Sequence, residues 1–534
     1  MSTRSILKSS YVLVGFTLIS RFLGLARESV KAAMLGTTAL SDAFSVAFLI
    51  PNLLRRLFAE GTISAAFIPT FKGYLSRNDK KETADFLSAV FTFGITVFAV
   101  TVFIGIGLSG ALVKIFGPAF SQDVYSEAVF LTQIMWPYLA FISVAALLQG
   151  VLNSLGIFGP SGFTPILFNL SFITAAFILS PFTANPARAI AIGVTAGGII
   201  QMLFQIPFMM KTGMRFSFTN LKKAFFHPGV RKVMRLISPT LLGMGAYQIN
   251  IIATTHIANR AGEGIVSSLQ FSNRLEELIL GVFIVSLSTV ILPELSTDAK
   301  KGDWENFNKN LVFGIKVTAM ISIPATVFTL LMREEIVSLL FKFGRFDDES
   351  VRLTSYALMF HISGLFFIAV TRILFPAFFA QEDTVSPTVA GIVSVVVNIV
   401  AAYLLVGSMK GGGIAFASTI SAFVSTVILV FMLRKGGKIN MNAVLSSFSY
   451  AFRFLLISVC CGVPLYFTKD FVYGVFSKIP AMSAFGEKII REFVPFSIIT
   501  AIFGIFLVAV LIIIKDENAV YIFDKVARRL KWKK

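Results

Sequence analysis

The sequence predicts an all-α polytopic membrane protein with about 14 transmembrane helices, arranged as two parallel-repeat six-helix lobes around a central cationic cavity, plus two C-terminal helices. Three observations carry this. The 534-residue chain is 56% hydrophobic and only 14% charged, with a mean hydropathy of +0.81, which places it outside the soluble globular class. Apolar stretches of ~20 residues or more, the length that crosses a bilayer core, recur along it. These stretches are continuously apolar, without the two-residue alternation of a β-barrel.

In chain order the apolar stretches lie near 10–34, 41–70, 84–113, 126–152, 160–182, 186–210, 231–257, 264–295, 308–331, 352–379, 385–407, 412–433, 447–467 and 491–514. The first carries Arg21 and Arg27 and has no small-residue cleavage site after it, so it reads as a retained helix rather than a signal peptide. Its polar residues Thr17, Ser20, Arg21, Gly24, Glu28 and Lys31 recur at helical i, i+3/i+4, i+7 spacing, with Arg27 at the border of the stripe. The second carries a similar face of Ser45, Asn52, Arg55, Arg56 and Glu60 around Pro51, which removes a backbone hydrogen bond and kinks a helix.

One arginine at the centre of a membrane helix costs ~2.5–3.5 kcal/mol on insertion scales, so Arg21, Arg27, Arg55 and Arg56 together would cost on the order of 10 kcal/mol facing lipid. They must face protein or water. Two readings follow: a hydrated cavity that recognises an anionic substrate through guanidinium forks, or an internal ion-pair network in which Arg27, Glu28, Asp42 and Glu60 neutralise one another.

The net charge of +19 is concentrated before the first stretch, after the second, between the sixth and seventh, after the eighth, after the twelfth and at the C-terminus. With fourteen helices these sites share one side, and the positive-inside rule puts both termini in the cytoplasm. The basic clusters are juxtamembrane, so membrane lipids rather than nucleic acid are the partner they imply.

The chain also repeats itself. Asn52-Leu-Leu-Arg55-Arg56 and Asn273-Arg274-Leu-Glu276-Glu277 are offset by 221 (52 to 273), the stretch-ending prolines by 224 (69 to 293), and Thr164-Pro165 and Ser386-Pro387 by 222 (165 to 387). Stretches one to six and seven to twelve therefore read as two homologous bundles. An even helix number in each makes the repeats parallel, a recurring transporter plan with substrate bound between halves. The domains expected are an N-lobe at 1–225, a C-lobe at 226–440 and a terminal helix pair with a basic tail at 441–534. Arg274, Glu276 and Glu277 are then the counterparts of the charges in the second helix. Arg372, just before Pro376, either extends the basic lining or snorkels to the interface. The terminal pair is rich in Phe, Leu and Ile, which suits either a groove for a lipid tail or helices that simply pack.

The sequence carries no sign of catalysis. No Walker A loop or nucleotide fingerprint is present, no soluble domain is long enough to hold a reaction, and His227, His256 and His361 lack metal-ligand spacing. Adjacent Cys460 and Cys461 sit in an apolar stretch and read as packing residues. The expectation is a non-enzyme without a cofactor, driven by an ion gradient, the membrane potential or the substrate's own gradient.

The run Ser20-Arg21-Phe-Leu-Gly24…Arg27-Glu28, then Asp42-Ala-Phe, Pro51-Asn-Leu-Leu-Arg55-Arg56…Phe58-Ala59-Glu60-Gly61 and Ala66-Phe67-Ile-Pro69, closely resembles the MurJ (MviN) family of bacterial lipid II flippases, within the multidrug/oligosaccharidyl-lipid/polysaccharide exporter superfamily. The resemblance covers essentially the whole chain. It implies movement of undecaprenyl-pyrophosphate-linked disaccharide-pentapeptide from the inner to the outer leaflet of the bacterial inner membrane, by alternating access, during peptidoglycan synthesis. It also implies lipid II as a partner, together with proteins of peptidoglycan synthesis. The family's cavity arginines match Arg21, Arg27, Arg55 and Arg274, and its motif carboxylates match Asp42, Glu60 and Glu277; Glu28 stands where the family often has Asp. Ser20, Asn52, Arg56 and Arg372 are further cavity candidates. Sodium binding reported in the family between the seventh and eleventh helices matches only loosely, through Asn250 and Asn398. A flippase for another polyprenyl-linked glycan shares everything but the motif detail. A cation-coupled drug exporter of the same superfamily would want a cavity of acids and aromatics, and a membrane glycosyltransferase would want a large outer loop bearing carboxylates.

Overall fold

The computed structural model describes residues 3–56, 66–214, 217–281, 285–434, 437, 439–480, 484–516 and 518–520, with backbone alone at 3–14, 239–244, 285–286, 289 and 484–485. Among these residues the regular structure is entirely helical, and the chain divides into two compact units, one of residues 1–267 with 341–350 and one of 268–340 with 351–534.

The first unit holds α1 (Thr3–Leu35), α2 (Ala39–Arg55), α3 (Ile68–Ser76), α4 (Lys80–Phe116), α5 (Gln122–Ser154), α6 (Gly159–Ile178), α7 (Pro186–Lys211), the short α8 (Leu221–Phe226) and α9 (Pro228–Ala261). Small residues bring its helices close. A side chain at Gly193 of α7 would collide with the Ala175 methyl of α6, and one at Gly197 with the Phe168 ring, so this small-xxx-small pair permits direct α6–α7 approach. Two cores result. Leu35, Phe44, Leu131, Phe172 and Ile190 join α1, α2, α5, α6 and α7, and Phe67, Phe71, Phe86 and Tyr74 stack where α3 and α4 meet the start of α9. Trp136 of α5 lies against Gly105 of α4 and donates its indole N–H to Ser109 Oγ at 3.1 Å.

The second unit holds most of α10 (Ile265–Ile279), then α11 (Val285–Lys301), α12 (Trp304–Leu331), α13 (Arg333–Phe341), α14 (Asp348–Ser363), α15 (Leu365–Ala380), α16 (Val385–Arg434), α17 (Met441–Ser477), α18 (Ala484–Lys488) and α19 (Val494–Ile513). As one straight helix, α16 would run for ~75 Å, more than twice the ~30 Å of a bilayer core. It is instead folded back on itself at Lys410, whose φ of +47° is followed by Gly411-Gly412-Gly413. Ser394 Oγ donates to the Ser421 carbonyl at 3.3 Å, and Asn398 Nδ2 to Ser418 Oγ at 3.2 Å and Ser421 Oγ at 3.4 Å. Pairs in which one residue number rises as its partner's falls are those of an antiparallel hairpin, so α16 is two spans.

Eight helices of the described residues are long and apolar enough to cross a membrane, nine when α14 and α15, bent by 44° at Gly364, count as one. Reading α16 as two makes ten. Among the described helices, the charges of the first, second and eighth predicted stretches lie on α1, α2, α10 and α11. These charge-bearing helices fall outside the long, continuously apolar ones of the described residues. The C-terminal pair packs on α12: Met332, Cys461, Leu465, Ile499 and Phe503 form one buried cluster.

A basic and amide-rich candidate site

In the first unit, α1 presents Arg21 and Arg27 six residues apart, Arg27 lying at the border of the polar stripe that Arg21 shares with Gly24 and Glu28. Arg27 is held on all sides. Its guanidinium pairs with Glu28 Oε1 at 2.6 Å, donates to Asn169 Oδ1 of α6 at 3.3 Å, and sits 5.5 and 5.6 Å from the ring centroids of Phe168 and Phe172. Asn169 in turn donates to the Ser20 carbonyl at 3.2 Å, which ties α6 to α1 two turns before Arg27. Only 16% of the Arg27 side chain is exposed.

Arg55 closes α2, one turn after Pro51, and donates Nε–H to Asn52 Oδ1 at 2.7 Å. It lines a cavity of about 290 Å³ together with Gln149, Asn153, Thr164, Gln201 and Gln205. Arg21 and Ser20 line a second cavity of about 400 Å³ that has Gln149, Asn153, Ser161 and Pro165 in common with the first. The two arginines, from different helices, therefore border one polar recess floored by α5, α6 and α7. Arg56 is half-buried beside Arg55. Lys31, two turns beyond Gly24 on α1, is buried at 5% exposure.

Asp42 has a different environment. It is 1% exposed and accepts two backbone N–H bonds at 2.8 Å, from Gly264 to Oδ2 and from Ser267 to Oδ1. A carboxylate there caps the first turn of α10, where unpaired N–H groups and the helix dipole favour negative charge. The surrounding turn is clamped by backbone. Gly264, at φ +77°, abuts the Thr37 carbonyl, Gly36 abuts the Arg345 carbonyl, and Arg345 N–H donates to the Ala33 carbonyl at 2.8 Å. Thr37 also bonds Ser350 Oγ through its N–H at 3.2 Å and its hydroxyl at 2.9 Å. Nearby Asp347, outside the spans, accepts the Ser350 N–H, which holds its carboxyl below the ordinary range.

In the second unit, Arg274 pairs with Glu277 Oε2 at 3.1 Å, one turn along α10, and both are substantially exposed. Glu276 is by contrast 4% exposed. Arg372 is exposed on α15, and its carbonyl accepts the Ser288 hydroxyl at 2.9 Å. Asn398 ties the two arms of α16 together, and Asn250 belongs to α9 in the first unit. Among the described residues no three His, Cys, Asp or Glu side chains gather as a metal site. Glu60, with Phe58, Ala59 and Gly61 of its motif, lies outside the described residues.

The sequence reading misses Gln149, Asn153, Asn169, Gln201 and Gln205. A signal for four of them is available: Gln149 with Asn153, and Gln201 with Gln205, are i, i+4 amide pairs, each on one face of its helix.

Residues 31–484 match the family model described as lipid II flippase MurJ. A relative in Treponema pallidum (strain Nichols), named probable lipid II flippase MurJ, is 40% identical over 525 residues, covering 97% of this chain and 98% of the relative. A solved structure described as lipid II flippase MurJ in an inward closed conformation superposes with a TM-score of 0.76 at 24% identity, over 94% of this chain and 99% of that one. The fold extends further, to an inward-facing multidrug resistance MATE family transporter of the MOP superfamily, at a TM-score of 0.66 and 15% identity, over 80% of this chain and 98% of that one. With 40% identity along nearly its whole length and a family model spanning most of it, this chain belongs to the MurJ family of lipid II flippases.

Proposed function

We propose that the protein is a lipid II flippase of the bacterial inner membrane, carrying undecaprenyl-pyrophosphate-linked disaccharide-pentapeptide to the outer leaflet by alternating access. The observation that supports this most directly is the recess of the first unit, where Arg21 and Arg55 from two helices border adjoining polar cavities. A pyrophosphate carries about two negative charges, and planar guanidinium forks bind its oxygens bidentately. One arginine would serve a monoanion; a diphosphate uses several. Arg27, clasped by Glu28, Asn169 and two rings, is preorganised for the same anion, since little rotamer freedom is left to lose on binding.

The positive clusters support an orientation with both termini in the cytoplasm under the positive-inside rule. No nucleotide-binding loop is present in the sequence, so the work of transport falls to the membrane potential or an ion such as sodium.

The test is a flippase-depleted strain carrying this chain, with outward-exposed lipid II measured by an enzyme that cleaves it only from outside. Wild type is expected to restore exposure and growth. Alanine at Arg21, Arg27, Arg55 or Arg274 is expected to abolish both at unchanged membrane levels, each loss of a charge-assisted contact costing ~2 kcal/mol, or roughly 30-fold in affinity. Full restoration by Arg21→Ala, Arg27→Ala and Arg55→Ala would overturn the clamp.

A further inference from the structure

Two glutamines of α7 are left over by a pyrophosphate clamp. Gln201 and Gln205 are 6% and 1% exposed, in a stretch of α7, residues 196–210, that is otherwise apolar. Gln201 Nε2 donates to the Thr164 carbonyl at 2.9 Å, and Gln205 Nε2 to the Gln201 carbonyl at 3.2 Å. Both partners are carbonyls, which can only accept, so the amides cannot be flipped: each NH2 group is committed and each Oε1 is left over. Both Oε1 atoms lack a hydrogen-bond partner among the described residues. Buried acceptors of this kind are rare because they are costly, and two in one cavity call for a donor from elsewhere.

The chemistry of that donor is restricted by the rest of the lining. A cation would be repelled by Arg55, which borders the same cavity. A second phosphate would meet carbonyl oxygens, and an apolar group would leave them unpaired. A neutral group bearing hydroxyl or amide N–H donors satisfies all three constraints. The cavity, at about 290 Å³, has room for a sugar-sized group rather than for a disaccharide carrying a pentapeptide. Gln149 and Asn153 connect it to the recess bordered by Arg21.

We propose that Gln201 and Gln205, with Gln149, form a glycan subsite that accepts hydroxyl or acetamido donors of the sugar next to the diphosphate. This rests on the flippase reading above and adds the residues by which the protein distinguishes a sugar-bearing carrier from the bare polyprenyl diphosphate.

The experiment is native mass spectrometry of the purified full-length protein with lipid II and, separately, undecaprenyl pyrophosphate. Wild type is expected to bind lipid II about tenfold more tightly or better. In Gln201→Met with Gln205→Met, of similar volume but without the acceptors, that preference is expected to fall to about twofold or less while undecaprenyl pyrophosphate binding is retained, which also reports an intact fold. Gln149→Leu, which breaks no hydrogen bond among the described residues, is expected to weaken the preference in the same direction and decides the matter should the double variant bind neither lipid. A preference undiminished in these variants, or a wild type that binds both lipids equally, overturns the glycan subsite. A wild type that binds neither lipid overturns the flippase reading itself, and the subsite with it.

Discussion

Arg27 illustrates how far a single residue can be read ahead of its structure. The cost of a charge in a membrane helix requires that it be sheltered, and that much is visible in the sequence. Which groups shelter it is not: Asn169, Phe168 and Phe172 lie more than 140 positions away, and nothing in α1 points to them. His227 lacks metal-ligand spacing in the sequence, yet it has a structural task at the start of α9. Its Nδ1 accepts the Gly229 N–H at 3.1 Å as an N-cap, beside the rings of Phe86 and Tyr74, and burial lowers its pKa below the ordinary 6.5 against the raising influence of Asp85 and Glu82, with Lys223 adding to the fall. Only the unprotonated nitrogen can accept. Above pH 6.5 both folded and unfolded chains hold a neutral ring; as pH falls below that value the unfolded chain takes up a proton first, so stability declines until the folded pKa is passed. Wild-type thermal unfolding in detergent should therefore shift down between about pH 7 and pH 5 by up to about 1 kcal/mol, the usual worth of a cap less what water screens at a partly exposed ring. His227→Asn, which caps at any pH, should remove this part of the acid sensitivity; an unchanged pH profile in the variant would refute the assignment.

At the scale of elements, spans are legible because burial in lipid forces a continuous apolar run, whereas what joins them is often backbone. The α16 hairpin is an intermediate case: Gly411-Gly412-Gly413 marks the bend, and the serines that pair with Asn398 carry no pattern of their own. The turn after α1 is the opposite case. Gly36, Gly264 and Gly344, all at positive φ, let three distant segments meet carbonyl to Cα, and no periodicity announces such a contact. Asp42 is the polar centre of that assembly; the sequence offers it as a cavity carboxylate or as part of a charge network, and neither reading anticipates a helix cap. Asp42→Asn keeps one acceptor for the Gly264 and Ser267 N–H groups but turns its own NH2 toward the other, at a cost of about 1–3 kcal/mol. Hydrogen exchange at residues 264–267 should accelerate correspondingly, about 5- to 150-fold, with the α4–α5 amides unaffected. Unaltered exchange at those two amides would show that the carboxylate does not hold the start of α10.

Across the whole molecule, the internal repeat leads to the expectation of two bundles with a terminal pair added, and composition leaves two roles open for that pair. The structure gives the pair extensive packing within the second unit. Phe503 is 6% exposed, its ring lies 5.4 Å from Phe328 of α12, and Cys461 and Leu465 of α17 complete the cluster with Met332 and Ile499. Lys469 of α17 pairs with Glu335 at 2.9 Å, and Gly462 lets α17 approach Leu331 closely. A groove that opens for a lipid tail would leave such a phenylalanine replaceable in the empty protein and would need it when substrate is bound. A packed interface makes the reverse demand. Phe503→Ala removes a large buried side chain and should destabilise the protein by ~3–5 kcal/mol, seen as a lower unfolding temperature, while the lipid II affinity of the remaining folded protein stays within about twofold of wild type. An unfolding temperature that holds while lipid II affinity drops about tenfold or more would instead place a polyprenyl tail against α19, and α17 and α19 would then belong to the transport path rather than to the scaffold.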